Sequence, residues 1–365
     1  MPSTAAFRRV PSVAFGAIAY VALPASAAEV DLAQCVGIAD ASTRLACYDV
    51  AAGRKELPPG VIADAPPETL DTAPSASAKA PNDPVFRHDS GHQPKPKVSL
   101  LDSRWELDSD SKLGTFHLRA YRPVYVLPAF YATSLNRKPS SPSPDNQVAD
   151  AIDIDRSELK FQLSFKAKLW ENIFGDNGDL WTGYTQVSHW QVFNSATSRP
   201  FRETNYEPDL NLIFRTDYDV FGWKGRLLGI GVVHQSNGRG DPYSRSWNRV
   251  VGNVGLERDG WTLNLRPWYR IPESRRDDDN PDISDYIGRG EVQLIRVTNR
   301  HQISLLVRNS FRGDWHGAAQ LDWAFPIKDE LRGHVQLFHG YGESLIDYNH
   351  RAWYFGVGLS LLEWY

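Results

Sequence analysis

Three polar residues on two neighbouring β-type segments could together perform acyl chemistry. In the segment 226–236 the even positions carry apolar side chains, and the same parity continues into His234 and Ser236. The next segment, 247–257, also has its apolar face on the even positions, and that face begins at Asn248. Serine, histidine and a side-chain amide are the types required for a nucleophile, a general base and a residue that orients the base.

The spacing would allow these three groups to meet. If the strand register sets His234 opposite Asn248, their Cβ atoms are about 5 Å apart. Ser236 is the next residue on the same face, at roughly 6.8 Å between Cα atoms. Ser236 Oγ could then attack an acyl carbonyl while His234 takes the proton and the Asn248 amide oxygen holds the imidazole in the required tautomer. The alternative is that these are ordinary polar residues at the rim of a barrel, where such side chains cost little.

The rest of the chain supplies the elements that must position this site. Strict alternation of apolar and polar residues over eleven residues, clearest in 159–169 and 210–220, indicates β-strands. We predict twelve strands, at 117–131, 158–170, 180–193, 207–220, 226–236, 247–257, 261–271, 286–297, 301–311, 318–326, 331–341 and 352–365. Several of the connections between them alternate between short and long, which is typical of a closed transmembrane barrel. The expected fold is an all-β, twelve-stranded antiparallel transmembrane β-barrel, with a soluble β-sandwich as the alternative.

The composition also favours a membrane barrel. The chain has 40 Lys and Arg against 44 Asp and Glu, with no basic block, so no nucleic-acid partner is expected. It has 12 Trp, 15 Tyr and 16 Phe, yet after the first 25 residues no apolar run is long enough for a transmembrane helix. An aromatic-rich but polar chain fits strands that alternate between lipid and lumen.

The N-terminal hundred residues are expected to lie outside the barrel. A basic start, an apolar stretch and an Ala-Ser-Ala motif predict a secretory signal peptide, with a membrane anchor less favoured because the stretch is short. The two cysteines, Cys35 and Cys47, would be joined as a disulfide in an oxidising periplasm. The expected segments are a signal peptide at 1–27, a small cysteine-containing helical segment at 28–57, a Pro- and Ala-rich linker at 58–100 and the barrel at 101–365.

Longer motifs around the candidate site resemble the outer membrane phospholipase A family. From about residue 105 to the C-terminus, the matching segments are 234–239 (HQSNGR), 241–249 (DPYSRSWNR), 201–208 (FRETNYEP), 279–283 (DNPDI) and 340–349 (GYGESLIDYN). The resemblance implies a calcium-dependent outer membrane lipase that works as a homodimer.

Carried over position by position, the resemblance implies a role for each site residue. His234, Ser236 and Asn248 match the catalytic triad, and the Gly238 amide matches the protein donor of the oxyanion hole. Calcium ligands are matched by the Arg239 carbonyl, the Ser244 hydroxyl and Ser198, the last donated by the other subunit. Asp279 matches a residue tied to a calcium site of the monomer, and Gln186 matches a buried glutamine of the dimer interface.

The residues themselves give reasons for calcium and for a dimer. The 237–247 loop offers mainly carbonyl and hydroxyl oxygens, which hard cations prefer, with Asp241 as the nearest carboxylate. Asp277 and Asp278 are expected to be part of a solvated acidic loop. On the third predicted strand, Gln186 has lipid-facing parity, where an isolated barrel would favour an apolar residue. A tolerated interfacial position or a wrong parity is the alternative.

The expected function is hydrolysis of acyl esters of phospholipids and lysophospholipids at the outer leaflet of a bacterial outer membrane. Calcium is the expected cofactor, the active form would be a homodimer, and both chain ends would be periplasmic. A non-enzymatic channel or a structural barrel is the alternative. In either case salt bridges could plug the narrow lumen, formed among inward residues that include Lys160, Lys166, Lys168, Arg215, Asp217 and Asp219.

Overall fold

The computed structural model describes residues 35, 38, 40, 43–45, 47–48, 99–312 and 316–365. The expected signal peptide, most of the cysteine-containing segment and nearly all of the expected linker lie outside the described residues. The chain forms two compact units, residues 1–78 and 79–365, and each is described by itself.

In the first unit, several of the described residues are helical. Residues 43–45 and 47–48 are helical. The Asp40 carboxylate accepts hydrogen bonds from the Thr43 N–H at 2.8 Å and the Thr43 hydroxyl at 2.7 Å, as an N-cap side chain does. The expected disulfide is present between Cys35 and Cys47, whose Cα atoms are 5.6 Å apart.

The second unit is a closed antiparallel barrel. Its described strands are β1 Leu118–Ala120, β2 Val124–Ala132, β3 Ser157–Trp170, β4 Asp179–Trp190, β5 Phe201–Val220, β6 Trp223–Ser236, β7 Ser246–Arg258, β8 Trp261–Ile271, β9 Gly290–Thr298, β10 His301–Asn309, β11 Gly317–Lys328, β12 Leu331–Tyr341 and β13 Arg351–Leu362. The described helices of this unit are α1 Leu100–Trp105, a 3-10 helix Ser109–Ser111 and α2 Ile283–Tyr286. Within the part of the chain that the structure describes, no helix has the length and apolar character needed to span a membrane.

The thirteen strand segments occupy twelve positions in the ring. β1 and β2 pair one after the other along β3, so they form one interrupted strand. The ring closes because β2 also pairs with β13, and β3 also pairs with β4. The predicted twelve-stranded antiparallel barrel is confirmed.

The interruption of the first strand has a local cause in Pro123, which lacks the N–H that a strand ladder requires. Side chains of β3 supply hydrogen bonds there instead. The Arg122 N–H donates to Ser164 Oγ at 3.2 Å, and Gln162 Nε2 donates to the Pro123 carbonyl at 2.7 Å. The chain therefore stays attached to β3 across the gap.

The two ends of the barrel differ in their connections. At one end, which we call the tight-turn end, four connections have two residues, at 221–222, 259–260, 299–300 and 329–330. Asp259 and Gly260 both have left-handed φ values, 48° and 78°, as a type I′ hairpin turn requires. The opposite end, which we call the long-loop end, has the connections 133–156, 191–200, 237–245, 272–289, 310–316 and 342–350. Residue 99 and the C-terminus both adjoin the tight-turn end.

Most strand boundaries differ from the prediction by one to three residues, and two strand starts differ by four or more. β5 begins at Phe201, six residues earlier than expected, because its first inward residues are polar and bind a loop. Glu203 and Asn205 accept hydrogen bonds from the backbone N–H groups of Ile346 and Leu345, at 3.1 Å and 2.9 Å. β9 begins at 290 rather than 286, because the apolar residues of α2 pack into a cluster at the barrel mouth.

The helix α1 packs against the tight-turn end. Ser99 Oγ caps the helix by accepting the Asp102 N–H at 2.9 Å. Leu101 is fully buried in a cluster that includes Trp181 and Ile213. Arg104 Nη2 donates to the Glu363 carbonyl at 2.6 Å. The helix is therefore held both by apolar burial and by the C-terminal segment of the same chain.

The lumen contains ion pairs, as predicted for some of the charged residues. Lys160 pairs with Glu343 at 2.6 Å, and Lys168 pairs with Asp179 at 3.0 Å. The buried Lys166 ammonium instead lies 3.1 Å from the centre of the Trp105 ring. Arg215 Nη2 pairs with the exposed Asp176 at 3.0 Å. A cavity of about 170 Å³ remains in the interior.

The prediction that Asp217 and Asp219 face the lumen is wrong. Both residues are exposed near the tight-turn end of β5. The register between β5 and β6 shifts between Arg215 and Tyr218, and such a bulge changes the face that later residues occupy.

Candidate active site

The even positions of β6 face outward, toward the surface that lipid would cover. Leu228, Ile230 and Val232 are 40%, 55% and 48% exposed, whereas the odd-numbered Val233 is 2% exposed and faces the interior. His234 continues the outward stripe, followed by Ser236 at the end of the strand. The histidine and the serine therefore lie on the outer wall at the long-loop end, as the parity of the sequence predicts.

The strand register brings the expected residues together. His234 pairs with Asn248 across β6 and β7, and Ser236 pairs with Ser246. Nδ1 of His234 lies 2.9 Å from Oδ1 of Asn248. Because the amide oxygen can only accept a hydrogen bond, this contact requires the proton of a neutral imidazole to be on Nδ1. The unprotonated Nε2 is then the nitrogen that can act as a base.

Ser236 is the next outward residue after His234. Among the described residues, no hydrogen bond joins Ser236 Oγ to the imidazole. Serine–histidine contacts are often long in enzymes without substrate and shorten when substrate binds. Adjacency on one face and an imidazole oriented by Asn248 are therefore the geometric support for a nucleophile and base at these positions.

A carboxylate that the sequence did not single out contacts Asn248. Asn248 Nδ2 donates to Glu273 Oε1 at 2.8 Å. Glu273 is half-buried in the connection after β8. Burial raises the pKa of Glu273 above its usual range, and the nearby Asp278 acts in the same direction, against the hydrogen bond from Asn248. Glu273 stands 25 positions from Asn248 in a segment without periodicity, so no sequence signal connected the two.

The connection after β6 is held at its base by the buried Asn237. Its Oδ1 accepts the Arg245 N–H at 3.0 Å and the Arg239 N–H at 3.3 Å, and its Nδ2 donates to the Tyr243 carbonyl at 2.8 Å. Gly238 follows with a left-handed φ of 64°. A Cβ atom at Gly238 would lie 3.1 Å from the Tyr206 ring. Within the described residues, the Gly238 N–H has no hydrogen-bond acceptor, so it can serve an external oxyanion.

Two of the predicted calcium ligands lie in direct contact. Ser244 Oγ donates to Asp279 Oδ2 at 2.6 Å. Asp241, on the same connection, accepts a hydrogen bond from Asn146 at 2.9 Å. No group of three or more His, Cys, Asp or Glu side chains suited to a metal is present among the described residues. A cation here would be bound mainly by hydroxyl and carbonyl oxygens, with few carboxylates, which is a donor set that fits calcium.

The other two predicted ligands are less closely connected to that pair. The Arg239 side chain points along the barrel mouth, where its Nη1 donates to the Arg202 carbonyl at 2.9 Å and its guanidinium lies over the Tyr243 ring. Ser198 lies in the separate connection 191–200, and its N–H donates within that connection to the Ser195 carbonyl at 3.3 Å. The described hydrogen bonds do not bring Ser198 into the 237–245 connection.

The motifs that lie far apart in the sequence meet at the long-loop end. The Asn280 side chain accepts the Ser246 N–H at 3.0 Å, and the Tyr348 hydroxyl donates to Asp282 at 2.5 Å. Asp278 is not solvated as expected, because it is buried and pairs with Arg270 at 2.6 Å. The connection 272–289 therefore supports the start of β7 on which Asn248 lies.

Gln186 lies on a polar row that leads to Ser236. Its amide accepts a hydrogen bond from the Tyr184 hydroxyl at 3.0 Å and donates to Ser188 Oγ at 3.1 Å. Gln186 pairs with Tyr206, and Tyr206 pairs with Ser236 on the next strand. Since neighbouring strands are about 4.8 Å apart, Gln186 and Ser236 are separated by roughly 10 Å across the outer wall.

An apolar surface adjoins His234 and Asn248. Leu210, Val232 and Ile271 line it together with those two residues, and they are 37%, 48% and 38% exposed. A shallow open groove of this kind on the outer wall could receive an acyl chain from the surrounding bilayer.

Comparison with known proteins identifies a family whose members are similar to this chain. The family model described as Phospholipase A1 matches residues 101–361. A phospholipase A1 candidate from Neisseria meningitidis is 38% identical over 343 residues, covering 89% of each chain. Phospholipase A1 of Escherichia coli is 43% identical over 209 residues, which are 56% of this chain and 70% of that protein.

Two solved structures are similar as well. Outer membrane phospholipase A from Escherichia coli has a TM-score of 0.62 and 38% identity, covering 68% of this chain and 100% of the other. The outer membrane phospholipase of Salmonella typhi, solved as a dimer with bound calcium, has the same TM-score and identity and covers 68% of this chain and 94% of the other.

The similarity to the Neisseria protein extends beyond the barrel. It covers 89% of this chain, whereas residues 101–365 make up less than three-quarters of it. The expectation that the resemblance stops near residue 105 is therefore wrong for this relative.

Proposed function

This chain belongs to the phospholipase A1 family and is an outer membrane phospholipase; from that premise we propose that Ser236, His234 and Asn248 form its catalytic triad. The proposed substrates are the acyl esters of phospholipids and lysophospholipids. The observation that carries the proposal is the 2.9 Å contact between His234 Nδ1 and Asn248 Oδ1, made on the outer wall with Ser236 next on the same face. A non-enzymatic channel, the alternative raised by the sequence, does not fit a member of this family.

In the proposed reaction, Ser236 Oγ attacks the ester carbonyl and gives its proton to His234 Nε2. The imidazolium then donates that proton to the leaving alcohol oxygen, and the acyl group remains on Ser236 as an ester. A water molecule, deprotonated by the same imidazole, attacks this ester, releases the fatty acid and restores the serine hydroxyl. Asn248 orients the imidazole but, being neutral, contributes less to imidazolium stability than an aspartate would.

The tetrahedral oxyanion needs hydrogen-bond donors or positive charge nearby. The Gly238 N–H is the proposed protein donor. The Arg239 carbonyl and the Ser244 hydroxyl are the proposed holders of calcium, with Asp279 beside Ser244. When bound, calcium would supply positive charge close to the developing oxyanion. The calcium in the related Salmonella typhi structure supports this proposal.

A homodimer is the proposed active form. The support from this chain is the polar row from Gln186 through Tyr206 to Ser236, which joins a lipid-facing amide to the proposed nucleophile. A partner barrel docked on this row would cover the site and could present its own Ser198 to the cation. The dimeric state of the Salmonella typhi relative supports the pairing.

The proposed orientation has the long-loop end at the cell surface and residue 99 and the C-terminus in the periplasm. Long surface loops and short periplasmic turns are the usual arrangement of outer membrane barrels. The site would then lie at the outer leaflet, and a lipid would enter sideways along Leu210 and Val232.

The test is hydrolysis of labelled phospholipid by Ser236→Ala and His234→Ala in detergent with calcium. Both variants should lose nearly all turnover while keeping the heat-dependent shift in gel mobility of a folded barrel. Ser157→Ala and His301→Ala, which change the same residue types elsewhere on the barrel, should keep wild-type turnover. Wild-type turnover in Ser236→Ala or His234→Ala would remove the proposed triad.

A further inference from the structure

The side-chain amide of Asn248 has a different partner on each side. Its oxygen faces Nδ1 of His234 at 2.9 Å, and its nitrogen donates to Glu273 Oε1 at 2.8 Å. An asparagine amide can rotate by half a turn and exchange these two atoms. The proposed reaction tolerates only one of the two orientations.

The two orientations give opposite tautomers of His234. With Oδ1 toward the imidazole, Nδ1 carries the proton and Nε2 is free to take the proton of Ser236. With Nδ2 toward the imidazole, Nδ1 must accept, so the proton of the neutral ring moves to Nε2. A ring protonated at Nε2 cannot act as the base for Ser236.

We propose that Glu273 is a positioning residue that fixes the orientation of the Asn248 amide and, through it, the reactive tautomer of His234. This inference rests on the proposed function of Ser236 and His234. An ionised carboxylate can only accept hydrogen bonds, so it is satisfied by Nδ2 and repelled by Oδ1. Asn248 is uncharged, so it cannot by itself select the tautomer of His234 as an aspartate would. Glu273 supplies a negative charge on the side of Asn248 that faces away from His234.

The connection that carries Glu273 is attached both to β7 and to the end of the 237–245 connection that precedes it. Asp279 accepts from Ser244 Oγ at 2.6 Å, and Asn280 accepts from the Ser246 N–H at 3.0 Å. Together with the Glu273–Asn248 hydrogen bond, these contacts hold every second residue of the segment 244–248 to the 272–289 connection. The carboxylate is therefore held at a fixed position relative to the amide, as a positioning group requires.

Protonation of Glu273 would remove its selectivity, because a carboxylic acid can also donate to the Asn248 oxygen in the wrong orientation. Asp278, Asp279 and Arg270 are the charged groups that act on this carboxyl. Burial and the two aspartates raise its pKa. As pH falls, Glu273 is therefore protonated before an ordinary glutamate would be. Both His234 and Glu273 would then need to be deprotonated for full activity.

The experiment compares Glu273→Gln and Glu273→Ala with the unchanged enzyme on labelled phospholipid. Loss of a hydrogen bond to a charged group predicts a fall in kcat of roughly tenfold to a hundredfold for Glu273→Ala, and a smaller fall for Glu273→Gln. KM should stay near the wild-type value, because Glu273 does not contact the substrate. As pH falls, kcat of the unchanged enzyme should decrease more than kcat of Glu273→Gln, because only the unchanged enzyme loses an ionised Glu273. Asp277→Asn, which removes an exposed carboxylate from the same connection, should leave all three quantities unchanged.

A double substitution separates positioning from a merely structural effect. In an Asn248→Asp background, the new carboxylate accepts from Nδ1 in either orientation and Glu273 only repels it. Adding Glu273→Gln should therefore raise kcat in this background, whereas it lowers kcat in the unchanged enzyme. The same fractional loss in both backgrounds, or wild-type kcat in Glu273→Ala, would overturn the inference. Ser236→Ala is assayed alongside: if it is inactive while the Glu273 variants behave as wild type, the positioning role alone fails, and if it retains turnover, the triad itself fails.

Discussion

Replacing Gly238 by alanine tests whether its backbone N–H stabilises the oxyanion. The substitution adds a methyl group at a residue whose φ is 64°, and places it 3.1 Å from the Tyr206 ring. For a residue with a Cβ atom, a left-handed backbone conformation is less stable than a right-handed one by about 1–2 kcal/mol. Residues 238–241 are exposed, so the connection can relieve this strain in the resting enzyme by turning the N–H away.

The size of the effect follows from comparing two energies. Loss of one oxyanion donor raises the barrier by about 2.7–4 kcal/mol. The backbone strain, about 1–2 kcal/mol, is smaller than this loss. In the transition state the variant should therefore return to the left-handed backbone and keep the hydrogen bond, so that the barrier rises only by the strain. Since about 1.4 kcal/mol corresponds to a factor of ten, kcat of Gly238→Ala should fall by roughly 5- to 30-fold.

The assay is kcat at saturating calcium, with the folded state checked by gel mobility. Gly240→Ala is the matched control, because a Cβ at Gly240 in the same connection meets no atom within 4 Å and its φ is not left-handed. This control should keep wild-type kcat. A wild-type kcat in Gly238→Ala, or an equal loss in Gly240→Ala, would refute the assignment of the Gly238 N–H as an oxyanion donor.

Four further outcomes are expected, two for calcium, one for the dimer and one for stability against pH. Chelation of calcium should abolish hydrolysis while the barrel stays folded, and Ser244→Ala should raise the half-activating calcium concentration by about tenfold or more; hydrolysis that is indifferent to a chelator would contradict the calcium site. Gln186→Leu should lower both the cross-linked dimer fraction and the specific activity at low enzyme concentration, and an unchanged dimer fraction would contradict the role of Gln186. Glu106, at the end of α1, is buried, which by itself raises its pKa, but hydrogen bonds from Arg119 and the Leu113 N–H and the charge of Lys168 outweigh burial and lower it. A lowered pKa means that the ionised form stabilises the fold above the usual glutamate range and that this stability is lost as pH falls through the folded-state pKa. Glu106→Gln should therefore lower the denaturant midpoint at pH 7, and the difference from wild type should disappear in acid; a difference that does not change with pH would contradict this electrostatic cause.

Much of the barrel could be predicted because alternation is a local property. On β6 and β7, lipid on one side and lumen on the other require apolar and polar residues to alternate, so the parity of His234 and Asn248 indicated their face directly. The prediction failed where that rule does not apply. The first inward-facing residues of β5 contact a loop rather than open lumen. The bulge after Arg215 reversed the inward and outward parity of the residues near Asp217.

The candidate site was only partly accessible to the same reasoning. Parity and a resemblance identified the serine, the histidine and the asparagine, since all three lie on one hairpin and the outermost two are 14 positions apart. Glu273 and Asn146 contact this region from connections with no periodic pattern. Irregular connections have no repeating spacing from which their contacts could be inferred.

The sequence by itself determined the number of strands, the alternation of short and long connections, the outward face of the candidate residues and the family to which they belong. The tertiary structure decided the side-chain contacts that connect distant segments: the carboxylate behind Asn248, the aspartate beside Ser244 and the row from Gln186 to Ser236. The physical reason is that strand parity depends on neighbouring residues in a periodic backbone. Contacts between connections depend on how the whole ring closes, and that closure brings together residues whose spacing in the sequence carries no trace of their proximity.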